Sequence, residues 1–172
     1  MARDIDAQGD RRSINLERLV SRFRELLEEH LGENLVSLIL FGSVARGDYR
    51  PDSDVDLLLV CETLPSNRWQ RWDPILAVEE RLRKEFSSPG GLPLPYISVI
   101  LKERREAAYH SPLYLDLTED ARILLDRGGF FEGVLEEIRL RLKELGSQRK
   151  FLGEGWYWDL KPDLKPGEVV EI

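Results

Sequence analysis

Apolar residues recur at one-face helical spacing from Leu16 through Leu19, Val20, Phe23, Leu26 and Leu27 to Leu31. That spacing predicts an amphipathic helix, capped by Ser13 or Asn15 and stopped at Gly32. The polar, charged residues 1–12 ahead of it are expected to fray. Leu35–Phe41 is an almost unbroken apolar run, which predicts a strand buried on both faces and ended by Gly42-Ser43. A short helical turn is expected over 44–48 and a loop containing Pro51 over 49–53. Asp54–Cys61 reads as a second strand. Asp73-Pro74 has the form of a cap and a first-turn proline, and a helix follows through Ile75, Val78, Leu82 and Phe86. A Pro/Gly-rich break covers 87–95. Beyond it the pattern gives a third strand at Tyr96–Leu101 and a charged helix or turn at Lys102–His110. A helix opened by Ser111-Pro112 comes next, then a short fourth strand at Arg122–Asp126. Phe131, Val134, Leu135, Ile138, Leu142 and Leu145 mark a C-terminal helix ending at Gly146. The tail after it reads as extended, with Trp156, Tyr157 and Trp158 as an aromatic cluster that either packs back on the domain or anchors an interface, packing back being favoured. Helices alternating with strands indicate an α/β or α+β fold, a sheet backed by helices.

Composition narrows the function without naming it. A chain of 172 residues with 42% apolar residues holds one ordinary core. Its formal charge of −7 argues against coating nucleic acid, which needs clustered Lys and Arg. The single cysteine, Cys61, lies in an apolar run and reads as a small core residue. No Cys/His cluster suits zinc. No apolar run reaches membrane-spanning length and the first residues are polar, so a cytoplasmic protein with no membrane partner is expected.

The chemistry concentrates in Leu38–Val60. Gly42-Ser43 follows one strand, and Asp54 and Asp56 open the next. Alternation puts Asp54, Asp56 and Leu58 on one face of that strand. Two carboxylates so spaced lie roughly 6.5–7 Å apart by Cα and can converge on one cation. Together with phosphate oxygens they make the hard oxygen set that Mg²⁺ selects. Gly42 lets backbone N–H groups approach a phosphate without a Cβ in the way. The Ser43 hydroxyl adds a donor. A helix starting at Val44 would aim positive partial charge at the same phosphate. Arg46 is a further phosphate candidate, balanced by its reading as an ordinary loop arginine. No Gly-Lys-Ser/Thr follows, so this is not a P-loop. His30 reads as a packed or rim side chain, and His110 as a turn residue.

This segment resembles the signature of the minimal nucleotidyltransferases of the DNA polymerase β-like superfamily: hydrophobic-Gly-Ser, a spacer, then Asp-hydrophobic-Asp-hydrophobic. The resemblance implies a small mixed sheet flanked by helices, in a nucleotidyltransferase domain over 13–128 followed by a C-terminal helix and tail over 129–172. It implies that Gly42 and Ser43 contact the triphosphate of a nucleotide, expected to be ATP. It implies that Asp54 and Asp56 are catalytic and ligate Mg²⁺. The implied reaction is attack of an acceptor hydroxyl on the α-phosphate with loss of pyrophosphate. The implied acceptor is a protein, with a HEPN-domain partner in a toxin–antitoxin pair as the analogy.

One departure stands out. Family members usually carry a third carboxylate on a later strand. The matching strand here offers Ser98, and Glu103 just beyond it is either a substitute or part of a solvated charge run. A second reading therefore stands beside the enzyme: a catalytically weak or inactive nucleotide-binding module that neutralises a partner by contact. A small-molecule-modifying enzyme ranks lower, because few residues remain to build a substrate domain.

Overall fold

The computed structural model describes residues 2–50, 52–86, 94–153 and 155–172, with the backbone alone for 2–15. Most of the break expected at 87–95 and Pro51 of the 49–53 loop lie outside the described residues, as do the cap side chains Ser13 and Asn15.

Helix α1 runs Ala2–Leu31. The helical backbone thus begins well before Ser13, where the sequence reading has a frayed end; no proline interrupts 2–12. Its apolar stripe behaves as the spacing requires: Leu19, Phe23, Leu26 and Leu27 are buried. Each such side chain contributes about 1.5–3 kcal/mol on leaving water. The same helix holds exposed His30 on the rim.

Four strands form the main sheet: β1 (Leu35–Phe41), β2 (Val55–Cys61), β3 (Ile97–Glu103) and β4 (Arg122–Asp126). They lie in the order β3-β2-β1-β4. β1 runs antiparallel to both β2 and β4, while β2 and β3 are parallel, so the sheet is mixed. The parallel pair needs a crossover, which α3 (Asp73–Phe86) supplies. Between β1 and β2 lies the five-residue helix α2 (Gly42–Arg46), which starts at the glycine rather than at Val44. The short α4 (Arg104–Ala107), then α5 (Pro112–Asp120) and α6 (Phe130–Leu145), complete the helices.

Alternation along β1 and β2 separates two apolar layers. Leu38, Leu40, Leu57 and Leu59 pack with α1 and α3. Val36, Ile39, Leu58 and Val60 pack with Tyr114 and Leu117 of α5 and with Phe131, Leu135 and Ile138 of α6. The C-terminal helix thus covers this second layer together with α5. Its start is held by Asp126, whose carboxylate accepts the N–H groups of Phe131 and Glu132 (3.0 Å each) and the buried Ser37 hydroxyl (2.6 Å).

The tail is extended, as expected, and its two strands pair as an antiparallel hairpin, β5 (Gln148–Leu152) with β6 (Gly155–Asp159). It packs back through its tryptophans. Both the Trp156 and the Trp158 indole N–H groups donate to one oxygen of Asp116 on α5, at 2.8 and 2.9 Å.

Candidate active site

Gly42 begins α2 with φ +72°, a left-handed backbone that L side chains rarely adopt. A side chain there would also displace the Asp56 carboxylate. A Cβ on Gly42 would stand 2.3 Å from Asp56 Oδ2. The end of β1 and the acid on β2 are therefore packed face to face, and the strand register states the same pairing, Phe41 opposite Asp56. Ser43 follows on α2, and its carbonyl accepts the N–H groups of Gly47 and Asp48. Gly47, at φ +83°, turns the chain out of α2.

Asp54 stands exposed just ahead of β2, and Asp56 is half-buried within it. The Val55 N–H between them donates to the Tyr96 carbonyl at 2.9 Å, which fastens this end of β2 to β3. Burial pushes the Asp56 carboxyl above its ordinary range; a hydrogen bond from Ser98 opposes this, the charge of Asp54 adds to it, and the charge of Arg46 opposes it. The structure thus brings Gly42, Asp54, Asp56 and Arg46 to one end of the sheet, with Ser43 following Gly42.

Ser98 sits directly opposite Asp56 on the parallel neighbour. It occupies the place where the third acid is expected, and its neighbouring hydroxyl offsets part of the upward push that burial gives the Asp56 carboxyl. Glu103 does not replace that acid. It pairs with Cys61, at the far end of the same two strands, on the order of 15–20 Å away at the strand rise per residue. Nor is it solvated: it is 6% exposed. It receives the Leu64 N–H at 2.9 Å and Arg105 Nε at 2.6 Å, and it forms a capping box with Glu106 at the start of α4. His110 lies 3.8 Å from Glu137 of α6.

A family model described as "Nucleotidyltransferase domain" matches residues 20–111, over half of the chain. The chain belongs to this nucleotidyltransferase family. A relative from Methanocaldococcus jannaschii, named "Putative protein adenylyltransferase MJ1305", is 33% identical over 132 residues, covering 76% of this chain and 85% of the relative. A second protein of that organism, "Putative protein adenylyltransferase MJ0141", is 40% identical over 48 residues, covering 28% of this chain and 48% of its own length. Among solved structures, a nucleotidyltransferase from Sulfolobus solfataricus shares 21% identity at a TM-score of 0.43, over 69% of this chain and 87% of its own. A toxin–antitoxin structure with AMP-PNP shares 16% at 0.44, over 73% and 90%.

One contact at this end of the sheet is not legible in the sequence. The Arg46 guanidinium lies 5.0 Å from the centre of the Trp156 ring, and Arg149 lies 4.1 Å from the same ring. The aromatic run at 156–158 was visible as a cluster, but nothing local connects residue 156 with residue 46. Among the described residues, no group of three or more His, Cys, Asp or Glu side chains is placed to hold a metal ion. The donors at the β2 end nevertheless suit a hard divalent cation: two carboxylates, one of them disfavoured as a bare anion by burial, and a serine hydroxyl beside them. Such an ion completes its shell with water and phosphate oxygens, as Mg²⁺ commonly does.

Proposed function

We propose that this nucleotidyltransferase moves a nucleoside monophosphate, AMP, from ATP to a hydroxyl on a protein. The supporting observation is the packing of Asp56 against the left-handed Gly42, with Asp54 at the same end of the sheet. Gly42 and Ser43 present backbone N–H groups and a hydroxyl to the triphosphate, at a turn with no Cβ on its glycine. Arg46 offers its guanidinium to a phosphate as a planar, multiple donor. Asp54 and Asp56 would hold Mg²⁺, which when bound neutralises charge at the reacting phosphate and aligns the reactants. Ser98 favours the ionised form of the Asp56 carboxyl. The acceptor oxygen forms a bond to the α-phosphorus, the bond from that phosphorus to the β-bridging oxygen breaks, and pyrophosphate leaves. No acid on β3 faces this position, so the acceptor's proton passes to solvent.

The relative named a protein adenylyltransferase supports a protein acceptor. The partner we propose is a HEPN-domain protein, as the family resemblance implies. The test is transfer of label from [α-³²P]ATP with Mg²⁺ to a candidate partner, with Asp54→Ala/Asp56→Ala as control. Label carried by the wild type alone supports the reading; equal labelling, or none with any partner, removes it. Ser98 in the third acid's place favours one other reading, a contact-only antitoxin. That reading wins if the double-alanine variant still neutralises the partner.

A further inference from the structure

Arg46 is held on two sides. Its Nε donates to Asp48 at 3.1 Å, and its guanidinium rests 5.0 Å from the centre of the Trp156 ring. The side chain is 25% exposed although it belongs to a surface turn. The ring that covers it is itself fixed: the Trp156 N–H is bound to Asp116, and Arg149 lies 4.1 Å from the ring centre. Arg149 is neutralised by both oxygens of Asp120, at 3.1 and 2.5 Å, so it acts as a buttress and not as a second phosphate donor. The chain of support therefore runs from α5 through Asp116 and Asp120, to the hairpin, and on to Arg46.

We propose that Trp156 is a positioning residue for nucleotide binding: the C-terminal hairpin is a wall of the site, and its indole holds the Arg46 guanidinium at the Gly42–Asp56 end of the sheet, where its terminal nitrogens can meet the triphosphate. The inference rests on the proposed function and adds to it an element outside the family match, which ends at residue 111. Arg46 is close enough for its charge to act on Asp56. A long arginine on a five-residue helix otherwise samples many rotamers, and ordering it beforehand removes that cost from the binding step. Cation–π contact with a partly covered indole is of the strength needed to do so.

The experiment is calorimetric titration of MgATP into wild type, Trp156→Ala, Trp156→Phe, Arg46→Ala and the Trp156→Ala/Arg46→Ala double variant. Circular dichroism and melting curves confirm that each is folded. Trp156→Ala should weaken ATP binding about three- to tenfold, in the range of one cation–π contact, and Trp156→Phe should recover most of it. In the Arg46→Ala background, removal of the indole should change affinity by less than twofold, since nothing remains for it to position. A full-sized loss there would mark Trp156 as merely structural and overturn the proposal. So would unchanged binding by Trp156→Ala, and in both cases the nucleotidyltransferase reading would stand. No ATP binding by the wild type would overturn both.

Discussion

At the scale of single residues, the site is decided by who must be small and who must be charged. Gly42→Ala places a methyl group into Asp56 Oδ2 and demands a left-handed backbone from alanine. The dihedral alone costs about 1–2 kcal/mol. Urea unfolding should show at least that loss, and labelling activity should fall further because Asp56 must move. Asp56→Asn should lower kcat/KM by roughly 10²–10³-fold, the scale of one lost electrostatic contributor. Ser98→Ala acts more gently. It removes a hydrogen bond that favours ionised Asp56, so the acid limb of the pH–rate profile should move to higher pH. A limb that stays put would show that Asp56 ionisation does not govern the rate.

At the scale of elements, the register of three strands builds the site. Phe41 opposite Asp56, and Asp56 opposite Ser98, leave no freedom about which side chains meet. A slip by one residue would send Asp56 into the α1/α3 layer. The start of the C-terminal helix is tied down by one acid, Asp126, which serves two of its N–H groups and the Ser37 hydroxyl. Asp126→Ala should cost about 2–4 kcal/mol in urea unfolding, a lost cap plus an orphaned buried hydroxyl. If the loss is under about 0.5 kcal/mol, α6 is not anchored there.

At the scale of the whole molecule, stability, protonation and metal binding are linked through Asp56. Its carboxyl is pushed upward on folding, first by burial. The native state then holds its proton more tightly than the unfolded chain, so this group's contribution to stability is present at low pH. It declines as pH rises from the ordinary carboxylate value through the raised one. A divalent cation bound by the ionised carboxylates reverses that decline. Millimolar Mg²⁺ should therefore raise the melting temperature more at pH 7.5 than at pH 4.5. The difference should vanish in Asp54→Ala/Asp56→Ala. Equal shifts at both pH values would place the cation elsewhere.

Much of this molecule is written locally. The limits of β1 and β4, the end of α3 at Phe86 and the proline-led start of α5 follow from apolar runs and prolines that the chain carries at those positions, while Asp73, read as a cap, lies within helical backbone. The Gly-Ser and Asp-x-Asp motif announced the chemistry because phosphate and metal each demand a residue type at a spacing. Three things required the fold. Glu103 looked available, but a parallel register carries it to the wrong end of its strand, and only strand pairing sets that. Ser98 became Asp56's partner by the same pairing. Trp156 reached Arg46 across more than a hundred residues because Asp116 draws both indoles inward. Local pattern dictates which segments form and which faces are apolar. Where two distant side chains meet is settled by how those faces stack.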